Sequence, residues 1–395
     1  LSQITHIFAT VSNGGSSKTC RLCRIMKVLM VAPSVRVPDT LGQTLHQLAL
    51  ANGLAKRGIQ VTLLCRYDSS KDGKDFNSNL KFLSINDPKI PFERLIFTYN
   101  SYKSALKELK SNNYDLVHDR GYIFAGSGVR AARECGVKSI LQVDDNWIRS
   151  ERSATKFANY WLYNKKAIES CHNQIENANG GFTVSAVLRA QITKWNLKAQ
   201  NFDVIQNGYE KDLFIPEVEP LGIKKKLGIK GKLAIFVGAL GPWHGIDEIS
   251  SIAIANPSIN VVVAGGGYGN NLPTVENLHH IGRLGRSEVP RLLVEADVGL
   301  APYPNLDYGF SPLKIYEYMG CKLPVFATDL PSVREATEGH AFLAKPGKLS
   351  SLVSRFINNE KALNKVTELA YNYATKRRTW DNTIDETIEL YQKIL

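Results

Sequence analysis

Long apolar runs are missing from this 395-residue chain. No stretch approaches the roughly 18 apolar residues that a membrane-crossing helix needs. That excludes a spanning helix. Cysteine is sparse, six in all, and scattered. Cys20 and Cys23 form a lone C-x-x-C, without the second pair of a zinc site or the strand–helix setting of a redox motif. Cys65, Cys135, Cys171 and Cys321 sit in or beside apolar segments and read as small buried residues, which suits a reducing cytoplasm. There is no short-period repeat. No carboxylate pair is placed as a magnesium clamp, so no metal is expected. No aromatic-basic strand module or recognition helix argues for nucleic acid.

What is present is a basic, two-domain composition. The length exceeds one ordinary core. The net charge is +12, and residues 1–210 hold nearly all of it, with 28 basic against 17 acidic side chains. A basic face attracts anions such as lipid head groups or acidic substrates. Residues 1–25 are polar and rich in Ser and Gly, with Lys18, Arg21 and Arg24 late in the segment, unlike a secretory signal. The folded protein is expected to begin at Met26, with 1–25 a disordered leader or a start-site artefact.

From Met26 onward, β-branched runs alternate with helical stretches, the pattern of parallel sheets flanked by helices. Strands are predicted at Lys27–Ala32, Gln60–Cys65, Leu116–His118, Ser139–Val143, Gly181–Val184 and Val204–Ile205. A second series comprises Leu233–Val237, Asn260–Ala264, His279–Ile281, Val298–Ala301, Pro324–Ala327 and Ala341–Leu343. An amphipathic helix is expected over Gln43–Arg57, ended by Gly58. The stretch Ile215–Gly222 reads as a linker, and Asp381–Leu395 as a final amphipathic helix. The fold class is α/β, two doubly wound parallel-sheet domains facing a cleft. Residues 26–210 would bind the acceptor and 211–375 the nucleotide, with 376–395 a terminal helix packing back on the first domain.

The most informative segment is Ser311-Pro312-Leu313-Lys314-Ile315-Tyr316-Glu317-Tyr318-Met319. Ser311 is expected as an N-cap and Pro312 at the first helical position. Such a helix start presents free N–H groups and partial positive charge, a phosphate site without a side chain. Lys314 adds a cation, and Glu317 a carboxylate that can accept two hydrogen bonds from a ribose diol.

This segment resembles the signature of glycosyltransferase family 4, retaining enzymes of the GT-B fold, in the subset with Ser-Pro-Leu-Lys before the second motif Glu. The resemblance implies that Glu317 binds the donor ribose and that the backbone at Pro312, Leu313 and Lys314 binds its diphosphate. The first motif Glu would fall on Gly309, so this chain lacks it. Asn207-Gly208-Tyr209 is similar to the family's interdomain crossover. Phe236-Val237-Gly238 with Trp243-His244-Gly245 is similar to its phosphate-binding strand and helix start. The family's Arg and Lys there are replaced by Ala239 and His244. Gly265-Gly266-Gly267 resembles a glycine turn, and Gly282-Arg283-Leu284 the strand end that meets the nucleobase, with Arg283 a candidate replacement for phosphate charge.

In the first half, Met30–His46 resembles the family's first strand, glycine loop and helix, with Leu41-Gly42 in place of Gly-Gly. His118-Asp119-Arg120 stands where many members carry two His, and Asp119-Arg120 is similar to the Glu-Arg of a subset. Asp144, Asp145 and Glu151 follow the next strand where that subset places acids. The implied roles are catalytic for Lys314, Arg120 and Asp119, and acceptor-binding for Asp144, Asp145 and His46. Donor-binding falls to Glu317, Leu313, Ser311, Pro312, Gly309, Arg283, Leu284, Gly238, His244 and Gly42. The implied enzyme is a cytoplasmic, metal-independent sugar transferase with a nucleotide-diphosphate sugar as co-substrate, no cofactor, and a glycan, lipid-linked or small-molecule acceptor. The aromatic and basic segment Phe157–Lys166 suits a peripheral membrane contact. The alternative is a non-catalytic sugar-nucleotide-binding or partner subunit, suggested by the replacements at Gly309, Ala239 and Arg120.

Overall fold

The computed structural model describes residues 25–39, 42–70, 76–85, 93–149, 161–267 and 272–395. Residues 1–24 of the expected leader, including Cys20 and Cys23, and Leu41, Glu151 and Phe157–Tyr160 lie outside the described residues. The first sheet contains β1 (Lys27–Val37), β2 (Gln60–Tyr67), β3 (Leu80–Ser84), β4 (Leu116–Arg120), β5 (Lys138–Val143), β6 (Gly180–Thr183) and β7 (Asp203–Val204). The second contains β8 (Lys232–Val237), β9 (Ile259–Ala264), β10 (Leu278–Gly282), β11 (Val298–Ala301), β12 (Val325–Thr328) and β13 (Phe342–Ala344). Their orders are β3-β2-β1-β4-β5-β6-β7 and β10-β9-β8-β11-β12-β13. Central pairs are parallel, as in Val28↔Val61, Val28↔Leu116 and Val298↔Ala234.

These are two doubly wound α/β sheets with the same internal order. Each reverses direction once, between β1 and β4 and between β8 and β11. Ligands in such sheets bind at that reversal, beyond the carboxyl ends of the strands. The strands at the reversals are buried along their lengths, as for parallel strands covered on both faces. β3 has no counterpart among the predicted strands because it is a short edge strand with largely solvent-facing side chains.

The helix after β1, Gly42–Lys56, is more enclosed than the amphipathic pattern predicts. It buries Thr44, His46, Gln47, Leu48, Leu50, Ala51, Gly53, Leu54 and Ala55, more than one stripe. The reason is the terminal helix Trp380–Ile394, which lies along its outer side. A Cβ added at Gly53 would lie 2.8 Å from Ile384 Cγ1. Trp380, Ile384, Leu390 and Tyr391 share a core cluster with Val28, Met30 and Leu54. Two chain crossings join the sheets and pair with each other: Tyr209 donates its amide to Arg378 O at 2.8 Å, and Trp380 donates to Tyr209 O at 3.2 Å. Gly208 is required here because a Cβ would run into the backbone of Thr379 and Trp380. No described helix is long and apolar enough to cross a membrane.

Candidate functional site

At the reversal of the first sheet, Arg120 ends β4 and Asp144 follows β5. Arg120 Nε donates to Asp144 Oδ2 at 2.7 Å, and Nη1 donates to Ser34 Oγ at 2.7 Å. Gln142 Nε2 donates to Asp144 Oδ1 at 2.8 Å. His46 Nδ1 stands 3.8 Å from the same oxygen, its ring stacked on Trp380 at 5.2 Å. Burial opposes charge on Asp144, but Arg120 foremost, then His46 and the Gln142 hydrogen bond, hold the carboxyl below the usual carboxylate range. Burial lowers His46 despite Asp144, and Arg120 pushes the same way.

Asp119 is not part of this group. Strand alternation turns it to the opposite face from His118 and Arg120. Its Oδ2 accepts from the Val129 amide at 2.9 Å, at the start of the helix Ser127–Cys135. Burial pushes this carboxyl up to about 7, against the hydrogen bonds from Val129 and Gly128. The catalytic assignment of Asp119 gives way to a role as a buried helix cap.

At the reversal of the second sheet, the helix Leu313–Gly320 begins without a side-chain cap. Pro312 occupies the cap position, one residue later than expected for Ser311. Ser311 Oγ instead accepts from the Asn207 amide at 3.3 Å, which draws it out of the capping geometry. Lys314 reaches back beneath the β8 end. Its Nζ lies 3.9 Å from the centroid of the Phe236 ring, is sealed from solvent, and has no hydrogen-bond partner among the described residues. Burial pushes this ammonium down to about 7, although Glu317 pulls the other way. A Cβ at Gly238 would lie 2.9 Å from Lys314 Nζ and 3.4 Å from His244 Cε1, so glycine alone leaves that space open.

His244 Nδ1 is 2.5 Å from Ala239 O, which requires the proton on Nδ1 and leaves Nε2 as an acceptor. Burial first, then the Lys314 charge, pushes His244 down to about 3. His244, expected among the donor-binding residues, is therefore neutral in this setting. Glu317 Oε1 meets Arg286 Nη1 at 2.7 Å. Arg286 also pairs with Glu210 at 3.2 Å and lies 4.5 Å over the Phe214 ring. Arg283 lies over the glycine turn, its Nε 3.2 Å from a Cβ at Gly266, while Leu284 packs on the domain core.

The two halves meet. A Cβ at Gly42 would stand 3.8 Å from Leu313 Cδ1, so two helix starts face one another across the cleft. Nearby, the loop 304–311 is fastened to the first domain. Gly309 donates its amide to Gln191 Oε1 at 2.9 Å, Gln191 Nε2 donates to Asp307 O at 2.8 Å, and Arg149 pairs with Asp307. A Cβ at Gly309 would lie 2.7 Å from Leu188 Cα, so no side chain fits where the family pattern places a Glu. Asp145 adds to the burial that pushes the Tyr308 phenol in this loop up to about 12.

The structure thus brings together Gly42, His46, Arg120 and Asp144 on one side and Leu313, Lys314, Glu317, Gly238 and His244 on the other. Sequence reading misses Ser34, Gln142, Arg286 and Gln191. These are common polar residues outside any motif, and only Gln142, next to the end of β5, carries a positional signal.

Comparison with known proteins agrees with the fold. Residues 41–213 match the family model Glycosyltransferase Family 4, and residues 231–359 match Glycosyl transferases group 1. The chain is 29% identical over 332 residues to the D-inositol 3-phosphate glycosyltransferase of Mycolicibacterium gilvum (strain PYR-GCK), 76% of this chain and 73% of that one. It is 24% identical over 191 residues to TuaH of Bacillus subtilis (strain 168), named for teichuronic acid biosynthesis. That match spans 46% of this chain and about half, 48%, of TuaH. The Anabaena protein HepE, solved in complex with UDP-glucose, superposes with a TM-score of 0.69 at 15% identity over 93% of this chain and 100% of that chain. The fold is that of GT-B glycosyltransferases, and both halves of the sequence match glycosyltransferase family models, so this chain is similar to glycosyltransferase family 4.

Proposed function

We propose that this enzyme moves a sugar from a nucleotide-diphosphate sugar to a hydroxyl acceptor, with retention at the anomeric carbon. The observation that carries the reading is the sealed, unpartnered Lys314 ammonium beside Gly238, next to the uncapped start of the helix Leu313–Gly320. A buried cation without a partner is costly, and an anion relieves it. A donor diphosphate supplies that anion. The free amides at the helix start and Lys314 then stabilise charge as it develops on the leaving group. Glu317, oriented by Arg286 through Oε1, keeps Oε2 for the ribose diol. His244 Nε2 accepts a hydrogen bond instead of supplying charge.

On the facing side, Arg120 and Asp144 border the reacting centre, and the leaving phosphate assists the incoming hydroxyl. That route, suggested by the family resemblance, needs no separate base. HepE was solved with UDP-glucose, which favours a UDP-sugar as the first donor to try. The four described cysteines are free thiols, in keeping with a reducing cytoplasm. The basic first domain is the surface proposed for a lipid-linked or membrane-borne acceptor.

A thermal-shift screen of UDP-, GDP- and ADP-sugars, followed by a donor hydrolysis assay, tests the reading. A shift with one nucleotide class and measurable turnover are expected. Binding without turnover under any donor would favour a non-catalytic binding subunit. Glu317→Ala should weaken nucleotide affinity and transfer together, by about tenfold or more for a lost hydrogen-bonded carboxylate. Unchanged affinity and rate would remove Glu317 from the site.

A further inference from the structure

Beneath the Arg120–Asp144 pair runs a continuous buried hydrogen-bond chain that the proposed transfer does not by itself require. Tyr391, on the terminal helix, places its hydroxyl 2.6 Å from His118 Nδ1. His118 Nε2 lies 2.7 Å from Gln142 Oε1. Gln142 Nε2 donates to Asp144 Oδ1 at 2.8 Å, and Asp144 Oδ2 accepts from Arg120 Nε at 2.7 Å. Tyr391, His118 and Gln142 are wholly buried, whereas the Asp144 side chain keeps 14% exposure. The chain therefore has a sealed end and an end that opens on the cleft.

Its polarity is determined. The Asp144 carboxylate only accepts, so Gln142 must turn its NH₂ toward it and its carbonyl oxygen toward His118. That oxygen demands a proton on His118 Nε2. Nδ1 is then an acceptor, and the Tyr391 O–H must be the donor. His118 is neutral throughout, because burial pushes it down to about 4. One tautomer and one amide orientation satisfy every member. An apolar core would be cheaper here than four buried polar groups. What the chain accomplishes is to fix the rotamer of Asp144 and, through it, of Arg120. Arg120 spends Nε on Asp144 and Nη1 on Ser34, and its Nη2 has no partner among the described residues.

Resting on the reading of the cleft as a transfer site, we propose that Tyr391, His118 and Gln142 are positioning residues. They hold Asp144 ionised and Arg120 Nη2 aimed at the reacting sugar, so the terminal helix, packed on the same face of the sheet as His118 and Arg120, supports catalysis from beneath the site.

The test uses the full chain and UDP-glucose, or whichever nucleotide-sugar the thermal-shift screen selects. If the wild type binds no nucleotide-sugar, the underlying reading fails and this inference falls with it. If it binds and turns over, Tyr391→Phe removes a single oxygen from the sealed end. The expected result is a kcat lowered ten- to a hundredfold, as for a displaced reacting group, with the donor Kd from calorimetry within twofold. A kcat within twofold of wild type overturns the proposal, as does an equal loss in donor affinity.

Gln142→Glu keeps the shape and reverses one end of the amide, and it decides the matter if Tyr391→Phe does not fold. The introduced carboxylate would accept from His118 but face Asp144 as a second anion, with Arg120 and His46 the other charged or titratable groups there. The acid limb of the pH–rate profile should rise by about one pH unit or more. An unmoved limb in a folded variant overturns the proposal.

Discussion

The two sheet reversals share a strand order and differ in how their charges are settled. The first is settled internally except at Arg120 Nη2: Arg120 has Asp144 and Ser34, Asp144 has Gln142, and His118 has Tyr391. The second is left open: among the described residues Lys314 has the aromatic faces of Phe236 and, farther off, Tyr303 but no hydrogen-bond partner, and the helix beside it has no side-chain cap. A satisfied network keeps its geometry with or without substrate. An unsatisfied cation is poised to gain from an anion. The same topology thus provides a settled wall on the side proposed for the acceptor and a binding deficit on the side proposed for the donor.

The widest test of this contrast is removal of each cation from the substrate-free protein. Arg120→Met should destabilise by about 3–5 kcal/mol, because Asp144 is left as a buried unpaired charge. Chemical denaturation gives the number. Lys314→Met should leave the substrate-free protein equally or more stable, since it removes a buried ammonium that nothing pairs. The same variant should lose about a hundredfold in donor affinity, the scale of a charged hydrogen bond to phosphate. A stable Arg120→Met or a tight-binding Lys314→Met would erase the distinction.

A smaller effect follows from proton linkage. The folded-state pKa of Lys314 is depressed to about 7 from 10.5, so the unfolded chain binds more protons between those values. This residue therefore adds a rise in stability as pH increases from about 7 to about 10.5. Melting temperatures across that window should climb more steeply in the wild type than in Lys314→Met. A bound diphosphate favours the charged amine, so binding near pH 8 should take up protons, measurable by calorimetry in buffers of different ionisation enthalpy. Smallest is Ser311→Ala. Because Ser311 accepts from Asn207 and does not cap its helix, it should cost about 1 kcal/mol or less and leave donor affinity unchanged. A marked loss of affinity would restore Ser311 to the donor site.

Much of this is legible in the chain itself. Alternation of apolar strands and helical stretches predicts two parallel sheets, since buried strands must be apolar on both faces. The segment around Glu317 stands out because a helix start, a cation and a carboxylate lie within seven residues. Asp119 misleads because adjacent strand residues point to opposite faces, and sequence order does not say which face opens on the cleft. The departure at Gly309 looks like a lost function in sequence. In the structure it is a steric requirement, since the backbone of Leu188 occupies the place of any side chain.

Local pattern determined the strands, the helix beginning near Leu313 and the presence of Lys314 and Glu317, because period and turn chemistry act over a few residues. Tertiary structure alone decided which charges are paired. Arg120 meets Asp144 across 24 positions, Tyr391 meets His118 across 273, and Lys314 pairs with no carboxylate among the described residues, facing the rings of Phe236 and Tyr303 instead. Such pairings depend on which strand ends the fold brings side by side, and in the low dielectric of the interior they determine which groups remain charged and which wait for a ligand.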